Sequence, residues 1–486
     1  MSRPPNTTSP AVDILRRVIK VCGIKSLDRS KIACKLTVPS VLVGDKHLNR
    51  LLPSLKADKL VLSGFQKLKS VQRCASLGES GNTTTDDVDR ANMPSTSTSR
   101  VLLRPDMLTD ERRVKIVRNA ERLGANVEFD ETTTSLTYEN FGSTDLLRAV
   151  LPDEHPFGAF SQIGHIVHVN LRNEHKPYKH VIGEILLDKV AGCETVVNKA
   201  ETLDSHNQFR TLPIELLAGE PKYETTVKEN GIKLVLDFQK VFFNPRLNTE
   251  RYRLITKYTQ KGDVVYDVTC GVGPFALLAA KRKCVVFAND LNKDATEFVK
   301  QACKLNNVDL AGVSVMDANV FIKDVIGPDL SKRFETQQAS TSVDRPCRFH
   351  AIMNLPATCY QFLPSFVGIL KIDHSNGSEE ANETSTKTPL DFWVHCYLFT
   401  KNAEDATAAA IETVHAQFGV YSSDLHNVTV HKVRTVATEK HQMCVSMKLG
   451  LDLLTDSGNV GQKLSEPDDP GNSDSQPDAK RVRMER

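Results

Sequence analysis

A short glycine turn after a hydrophobic run is the strongest chemical signal in the chain. The run over 264–268 contains one acid, Asp267, and Gly271 and Gly273 follow before Pro274 opens a helical pattern. Glycine lets the backbone turn sharply and approach a ligand closely, and proline suits a first helical turn. Because the spacing Gly-x-Gly-x-x-Ala also fits a dinucleotide-binding turn, the turn alone does not choose between cofactors.

Three acids follow three successive predicted strands. Asp267 ends the first strand, Asp290 follows the second, nineteen residues after Gly271, and Asp317 follows the third. A carboxylate after the second strand can accept hydrogen bonds from a ribose diol, and the third is placed to meet an adenine amine. Each acid alone could be a helix cap or a turn former. Together they suit the positive sulfonium of S-adenosyl-L-methionine and suit a pyrophosphate poorly.

A fourth predicted strand runs into Asn354-Leu355-Pro356-Ala357. Methyltransferases that act on amines or ring nitrogens often carry an Asn/Asp-Pro-Pro-aromatic turn here, which holds the acceptor nitrogen by hydrogen bonds. The Asn-Leu-Pro-Ala sequence in this chain is an unusual and narrower variant of that turn. A nicotinamide-dependent oxidoreductase is a more distant alternative.

The elements that position these residues alternate between strand and helix from about residue 245 onward. Alternation of this kind indicates βαβ units and a parallel sheet flanked by helices, so we predict a Rossmann-like α/β domain. The stretch from 101 to about 240 mixes strand and helix patterns and is predicted to be α+β. Two polar insertions, about 329–346 and 373–389, are expected to be surface loops outside the core.

Charge is distributed unevenly along a nearly neutral chain of 486 residues with a formal net charge of +2. Residues 1–75 hold 15 Lys and Arg against 4 Asp and Glu, a charge of +11, and the remainder carries −9. The overall balance excludes a uniformly basic nucleic-acid coat. The basic end indicates an anionic partner, with a solvated basic face as the alternative.

Neither a metal site nor a membrane span is expected. The eleven cysteines are scattered without a Cys-x-x-Cys pair, and His165 and His168 have no evident third ligand partner. No apolar run approaches the roughly 18 residues that a span needs. The composition of the first 25 residues permits a mitochondrial address, and the run from Lys480 to Arg483 permits a nuclear one, so we expect cytoplasm, nucleus and mitochondrial matrix.

Composition divides the chain into five segments. We predict a basic module over 1–75, a disordered linker over 76–100, an α+β domain over 101–240, a cofactor-binding domain over 241–455 and a disordered tail over 456–486.

In several separate stretches the chain resembles the archaeal and eukaryotic tRNA (guanine-37-N1)-methyltransferases, which belong to the class I S-adenosylmethionine-dependent superfamily. The resemblance rests on stretches at 157–189, 243–251, 267–275, 288–295, 353–357 and 395–401. It implies transfer of a methyl group from S-adenosyl-L-methionine to N1 of guanosine 37. It also implies a tRNA partner bound through its anticodon stem-loop and body, with no DNA or membrane partner, and a monomeric enzyme. On this resemblance, residues 1–75 are a tRNA-binding module, 101–240 an RNA-binding domain at the edge of the active site, and 241–455 the methyltransferase domain.

The resemblance also implies roles for individual residues. Glu250 takes the place of the general base, Arg210 lies near guanine O6, and Asn354 and Pro356 clamp the guanine edge. Phe242 stands where some relatives have tyrosine. The implied cofactor-binding residues are Arg251, Asp267, Gly271, Gly273, Asp290, Leu291, Asp317, Ala318 and Asn354.

Other interpretations remain open. The runner-up enzyme is the wybutosine-pathway transferase, which moves the aminocarboxypropyl group of the same cofactor to the same tRNA position. A tRNA-binding protein with a decayed methyltransferase domain is the alternative outside enzymes. Glu250 on its own could cap a nearby helix, and Arg210 on its own could contact phosphate.

Overall fold

The computed structural model describes residues 25–74, 97–199, 213–339, 346–372, 389–401, 405–437 and 439–456. Arg210, most of the predicted linker and tail, and nearly all of the insertion at 373–389 lie outside these ranges. The chain divides into two compact units. The first holds residues 1–202 and 212–223, and the second holds 203–211 and 224–486.

An antiparallel sheet forms the start of the first unit. Its strands are β1 (Ala33–Gly44), β2 (Val71–Cys74), β3 (Thr98–Leu102) and β4 (Val127–Thr137), in the order β2-β3-β1-β4. Helices Asp45–Ala57 and Asp110–Arg122 accompany this sheet. The sheet combines strands from both sides of the predicted linker. Deleting residues 1–75 would therefore remove two of its four strands.

A second four-stranded sheet completes the first unit. Its strands are β5 (Phe160–Ile163), β6 (Ile166–Val169), β7 (Thr195–Lys199) and β8 (Ile214–Gly219), paired in that order, with helices Ser143–Val150 and Lys179–Lys189. The alternating pattern of residues 164–171 predicts a single strand, and this prediction is wrong at its start. Gly164 has a φ of 58° and forms the turn between β5 and β6. The strand therefore begins at Ile166.

The second unit is built on a seven-stranded sheet, preceded by a hairpin of β9 (Glu224–Glu229) and β10 (Ile232–Asp237). Its order is β13-β12-β11-β14-β15-β17-β16, and every strand except β17 runs parallel. This mostly parallel α/β sheet confirms the predicted fold class. Its strands are β11 (Val264–Asp267), β12 (Val285–Asn289), β13 (Gly312–Ser314), β14 (Phe349–Met353), β15 (Phe392–Thr400), β16 (Leu425–Ala437) and β17 (Lys440–Leu449).

Helices join these strands, as the alternating pattern predicts. The α-helices of the second unit are Asn248–Tyr258, Pro274–Lys281, Lys293–Asn306, Ala318–Phe321, Gly327–Ala339, Ala406–Phe418 and Leu451–Thr455. Their apolar side chains and those of the sheet form one core that includes Tyr266, Phe349 and Phe392.

The expected surface loop at 329–346 is wrong over its first half, because helix Gly327–Ala339 occupies it. Leu330 and Phe334 are four residues apart, on one face of this helix, and both are buried in the core of the second unit. Among the helices in the described ranges, none is long and apolar enough to cross a membrane.

Candidate active site

One cleft in the second unit opens at the carboxyl ends of its parallel strands. In a parallel α/β sheet, ligands bind outside this edge, where the strand order reverses. The cleft brings together residues that follow β11, β12, β13 and β14, the sequence-predicted cofactor and acceptor positions. The predicted residues that line it are Arg251, Gly271, Asp290, Leu291, Asp317, Ala318, Asn354 and Pro356.

The glycine turn is held by the backbone and by Asp290. Gly271 has a φ of 55° and Gly273 a φ of 79°, both in the left-handed region that glycine adopts without strain. The Gly271 amide donates to Asp290 Oδ2 at 2.8 Å. A Cβ on Gly273 would lie 3.0 Å from Val299 Cγ2, so this glycine also allows close packing of the helix behind the turn.

Two acids at the strand ends form turns and still face the cleft. Asp290 Oδ1 accepts from the Asn292 amide at 2.9 Å, and burial raises the pKa of Asp290. Asp317 caps the next helix by accepting from the Asn319 amide at 2.8 Å. Because a carboxylate offers about four acceptor positions, both acids keep capacity for a ligand. Turn formation and ligand binding are therefore compatible here.

Asp267 occupies a different place from the other two acids. It is fully buried and does not line the cleft, and its Oδ2 accepts from the Ala276 amide at 3.2 Å. Burial raises its pKa to about 8. Its second oxygen, Oδ1, is buried and has no hydrogen-bond partner in the described part of the chain. Asp267 therefore lies behind the glycine turn.

Arg251 lines the cleft and is anchored from behind. Its Nη1 donates to both carboxylate oxygens of Glu229, at 2.8 and 2.9 Å, and its Nη2 donates to the Asn244 carbonyl at 3.0 Å. The guanidinium also lies over the Phe243 ring, 5.0 Å from its centroid. Nothing in the sequence signals Glu229, because it lies on β9, outside every motif.

The turn after β14 is fixed by two hydrogen bonds. The Asn354 amide donates to Thr269 Oγ1 at 3.0 Å, which ties the turn to the end of β11. The Phe399 amide donates to the Pro356 carbonyl at 3.1 Å, which ties it to β15. The Asn354-Leu355-Pro356 segment therefore forms a rigid wall of the cleft.

Glu250 is buried beside the cleft without lining it. Arg253 donates to both of its oxygens, from Nε to Oε2 at 2.6 Å and from Nη2 to Oε1 at 2.7 Å. The Tyr397 hydroxyl donates to Oε1 at 2.8 Å, and His431 Nε2 lies 3.3 Å from Oε2. These four interactions are all with side chains, whereas a helix cap would accept from the helix backbone.

Later parts of the chain contribute a further wall. Phe399, Arg434 and Gln442 line the cleft from β15, β16 and β17. Strand pairing brings them together, since Phe399 and Arg434 are both register partners of Gln442. No motif marks them in the sequence. Within the described ranges, no group of three His, Cys, Asp or Glu residues is arranged to hold a metal ion.

The cleft fits a cofactor that carries both positive charge and a ribose. Asp290 and Asp317 offer free acceptor positions, and no cation neutralises them in the described structure. Arg251 Nε, on the cleft wall, is a buried polar atom without a partner among the described residues. Such an atom is rare unless a ligand completes it. The sheet order, the glycine turn and this set of donors and acceptors define an S-adenosylmethionine-dependent methyltransferase.

Comparison with known proteins gives the particular family. Residues 225–375 match the TRM5/TYW2 methyltransferase domain, and residues 144–222 match the TYW2 N-terminal domain. The tRNA (guanine(37)-N(1))-methyltransferase of Danio rerio is 34% identical over 451 residues, which cover 92% of this chain and 86% of that protein. The Homo sapiens protein of the same name is 34% identical over 442 residues, 89% of this chain and 78% of that one. The chain belongs to the tRNA (guanine(37)-N1)-methyltransferase family.

Solved structures show the same fold. Trm5b from Pyrococcus abyssi has a TM-score of 0.55 at 20% identity and covers 85% of this chain and 100% of its own. The aTrm5 chain of a complex with tRNALeu has a TM-score of 0.54 at 20% identity, covering 85% of this chain and 99% of its own.

Proposed function

We propose that this protein transfers the methyl group of S-adenosyl-L-methionine to N1 of guanosine 37 in tRNA. One observation carries the proposal. The rigid Asn354–Pro356 turn lines the same cleft as Asp290 and Asp317. A base held by the turn and a cofactor held by the two acids would therefore meet in one cleft, and holding two reactants together supplies much of a rate enhancement.

Different residues of the cleft would bind different parts of the cofactor. Asp290 and Asp317 would accept hydrogen bonds from its ribose and adenine, with Leu291 and Ala318 beside them. Arg251, kept in place by Glu229, would donate to its carboxylate end. When bound, S-adenosyl-L-methionine supplies a methyl group on a positively charged sulfur.

Guanine N1 carries a proton and is a poor nucleophile, so the reaction needs a base. We propose Glu250 for this role, since it is the buried carboxylate on the helix that also supplies Arg251 to the cleft. Its two oxygens have about four acceptor positions. Two donors of Arg253, the Tyr397 hydroxyl and His431 occupy them.

Accepting a proton from N1 therefore requires one of these partners to leave. His431 is the partner that can do so at least cost. Its 3.3 Å separation is the longest of the four, and its side chain is 45% exposed, so water can solvate it after it moves. Arg253 and Tyr397 would then keep the carboxylate in place while it takes the proton.

We propose Arg210 as the cation near guanine O6, where negative charge develops as N1 loses its proton. Asn354 and Pro356 would hold the guanine edge. The basic charge of residues 1–75 supports tRNA binding through phosphates, which predicts that affinity falls steeply with salt. We also propose that the enzyme acts as a monomer, without DNA or membrane partners, in cytoplasm, nucleus and mitochondrial matrix. Imaging of a tagged full-length chain tests the compartments.

The decisive experiment is single-turnover methylation with the variant Glu250→Gln. We expect the rate to fall about 100-fold or more, the scale of losing a general base, while cofactor and tRNA affinities are retained. Glu297→Gln is the matched control, because Glu297 lies on an exposed helix face paired only with Lys300 among the described residues. An unchanged rate in Glu250→Gln would remove Glu250 from the reaction.

The identity of the product separates the proposal from the aminocarboxypropyl alternative. Both matched family domains carry the TYW2 name, whereas the curated relatives are named as methyltransferases. Mass spectrometry of the modified nucleoside gives a gain of one methyl group for the first reaction and of the larger group for the second. A transcript with adenosine at position 37 should accept neither group.

A further inference from the structure

The cleft has a positive end that neither the cofactor nor the catalytic residues use. Arg434 lies on β16 and donates from Nε to Gln442 Oε1 at 3.1 Å. Gln442 is 2% exposed and lies on β17, so it is a fixed anchor for the guanidinium. Because Nε is engaged, the two terminal nitrogens of Arg434 form a fork whose orientation is set in advance.

Among the residues that the structure describes, this fork has no acidic partner. In the described structure, Arg434 makes no ion pair, and its side chain donates one hydrogen bond, to Gln442. Arg246, in the turn before helix Asn248–Tyr258, is close enough for its charge to act on Arg434. Partial burial, with this like charge, lowers the pKa of Arg434. Two arginines near each other, neither of them in an ion pair within the described ranges, create a positive potential that an anion would relieve.

The sheet order indicates which anion binds. Asp290 and Asp317 follow β12 and β13, on one side of β11, whereas β16 is at the other edge of the sheet. The turn at Asn354–Pro356 follows β14, which lies between them. Arg434 is therefore on the acceptor side of the cleft, beyond the turn proposed to hold the guanine.

We propose that Arg434, oriented by Gln442 and assisted by Arg246, binds a phosphodiester of the tRNA next to the methylated nucleotide. A guanidinium fork matches the geometry of two phosphate oxygens. The contact would hold the backbone of a nucleotide turned out of its stack, without reading the base. This inference rests on the proposed tRNA substrate.

The salt dependence of tRNA binding tests the contact. We expect Arg434→Gln to weaken binding of a tRNA transcript about 10-fold at low salt and to lower the slope of log Kd against log salt by about 0.7, the value for one phosphate contact on a single strand. Arg434→Lys keeps the charge but loses the fork, so it should keep the slope and bind with intermediate affinity. Arg333→Gln, which removes an arginine paired with Asp329 outside the cleft, should match the wild type.

The same measurements with adenosine at position 37 identify the contacted group. A phosphate contact predicts the same loss with both transcripts. A loss confined to the guanosine transcript would mean that Arg434 reads the base, and it would overturn the proposal. So would equal losses of tRNA and S-adenosylmethionine affinity, since these would place the cofactor carboxylate at Arg434.

The failure of this inference differs from the failure of the proposed function. If the wild-type protein methylates guanosine 37 and Arg434→Gln binds tRNA with unchanged affinity and slope, only the phosphate contact is wrong. If the wild-type protein produces no methylated guanosine, the proposed function is wrong whatever the arginine variants do.

Discussion

The buried carboxyl of Asp267 should make the stability of the second unit depend on pH. Burial raises its pKa to about 8, against a usual value of 3.8. At pH 6 the folded protein therefore holds a neutral carboxylic acid at this position, whereas the unfolded chain exposes a carboxylate. Asp267→Asn replaces this acid with a neutral amide of similar shape, whose oxygen can still accept from the Ala276 amide.

The sign and size of the effect follow from linkage. Between about pH 4 and pH 8 the folded state binds more protons at this group than the unfolded state, so stability falls as the pH rises. The slope approaches about 1.4 kcal/mol per pH unit, hence about 2 to 3 kcal/mol between pH 5.5 and pH 7.5. Over this interval the free energy of unfolding of the wild type should fall by this amount relative to that of Asp267→Asn. The difference between the two should level off above pH 8.

The single tryptophan makes the assay specific. Trp393 is the only tryptophan of the chain and lies on β15, so its fluorescence during urea unfolding reports the second unit. Asp317→Asn makes the same chemical change at an exposed cap, where asparagine caps equally well, and should follow the wild-type pH dependence. Parallel pH profiles for the wild type and Asp267→Asn would refute the argument, because Asp267 would then be ionised in the folded state.

Two further predictions concern the glycine turn and the network around Glu250. Gly271→Ala should destabilise the second unit by about 1 kcal/mol, the cost of placing a residue with a Cβ in the left-handed region. Gly273→Ala should destabilise it more, because its Cβ would also contact Val299. Urea unfolding of the two variants measures both losses. Tyr397→Phe removes a donor to Glu250 and should slow single-turnover methylation about 10-fold, a loss of roughly one hydrogen bond to a charged group, with cofactor affinity unchanged. A changed cofactor affinity would place Tyr397 in the cofactor site instead.

The part of the site that the sequence predicts is local. Gly271, Gly273 and the acids after β11, β12 and β13 are recognisable because turn chemistry and strand ends depend on residues close in the chain. The position of Glu229 in the site depends on its ion pair with Arg251, which lies 22 residues later in the chain. The Gln442 and Arg434 pair depends on register between two strands. Such pairings cannot be predicted from the spacing of residues along the chain.

The errors in the fold prediction have a similar origin. The average polarity of the segment 329–346 predicts a surface loop, although Leu330 and Phe334 have helical spacing and reach the core. Averaging over many Ser, Thr and Glu residues concealed two anchoring side chains. At Gly164 the apolar alternation continues through the turn, so periodicity alone could not locate the start of β6.

The surroundings of Glu250 bear on its role more strongly than its position in the helix does. Spacing alone fits an acid in a first helical turn, where it would interact with the free backbone amides. Its oxygens instead meet the side chains of Arg253, Tyr397 and His431. A buried ion pair contributes little to stability when compared with apolar residues of similar size. The stability of the fold therefore does not explain why an acid, a guanidinium and a buried hydroxyl lie together here. A carboxylate that must stay ionised beside the cleft and then accept a proton does require such partners.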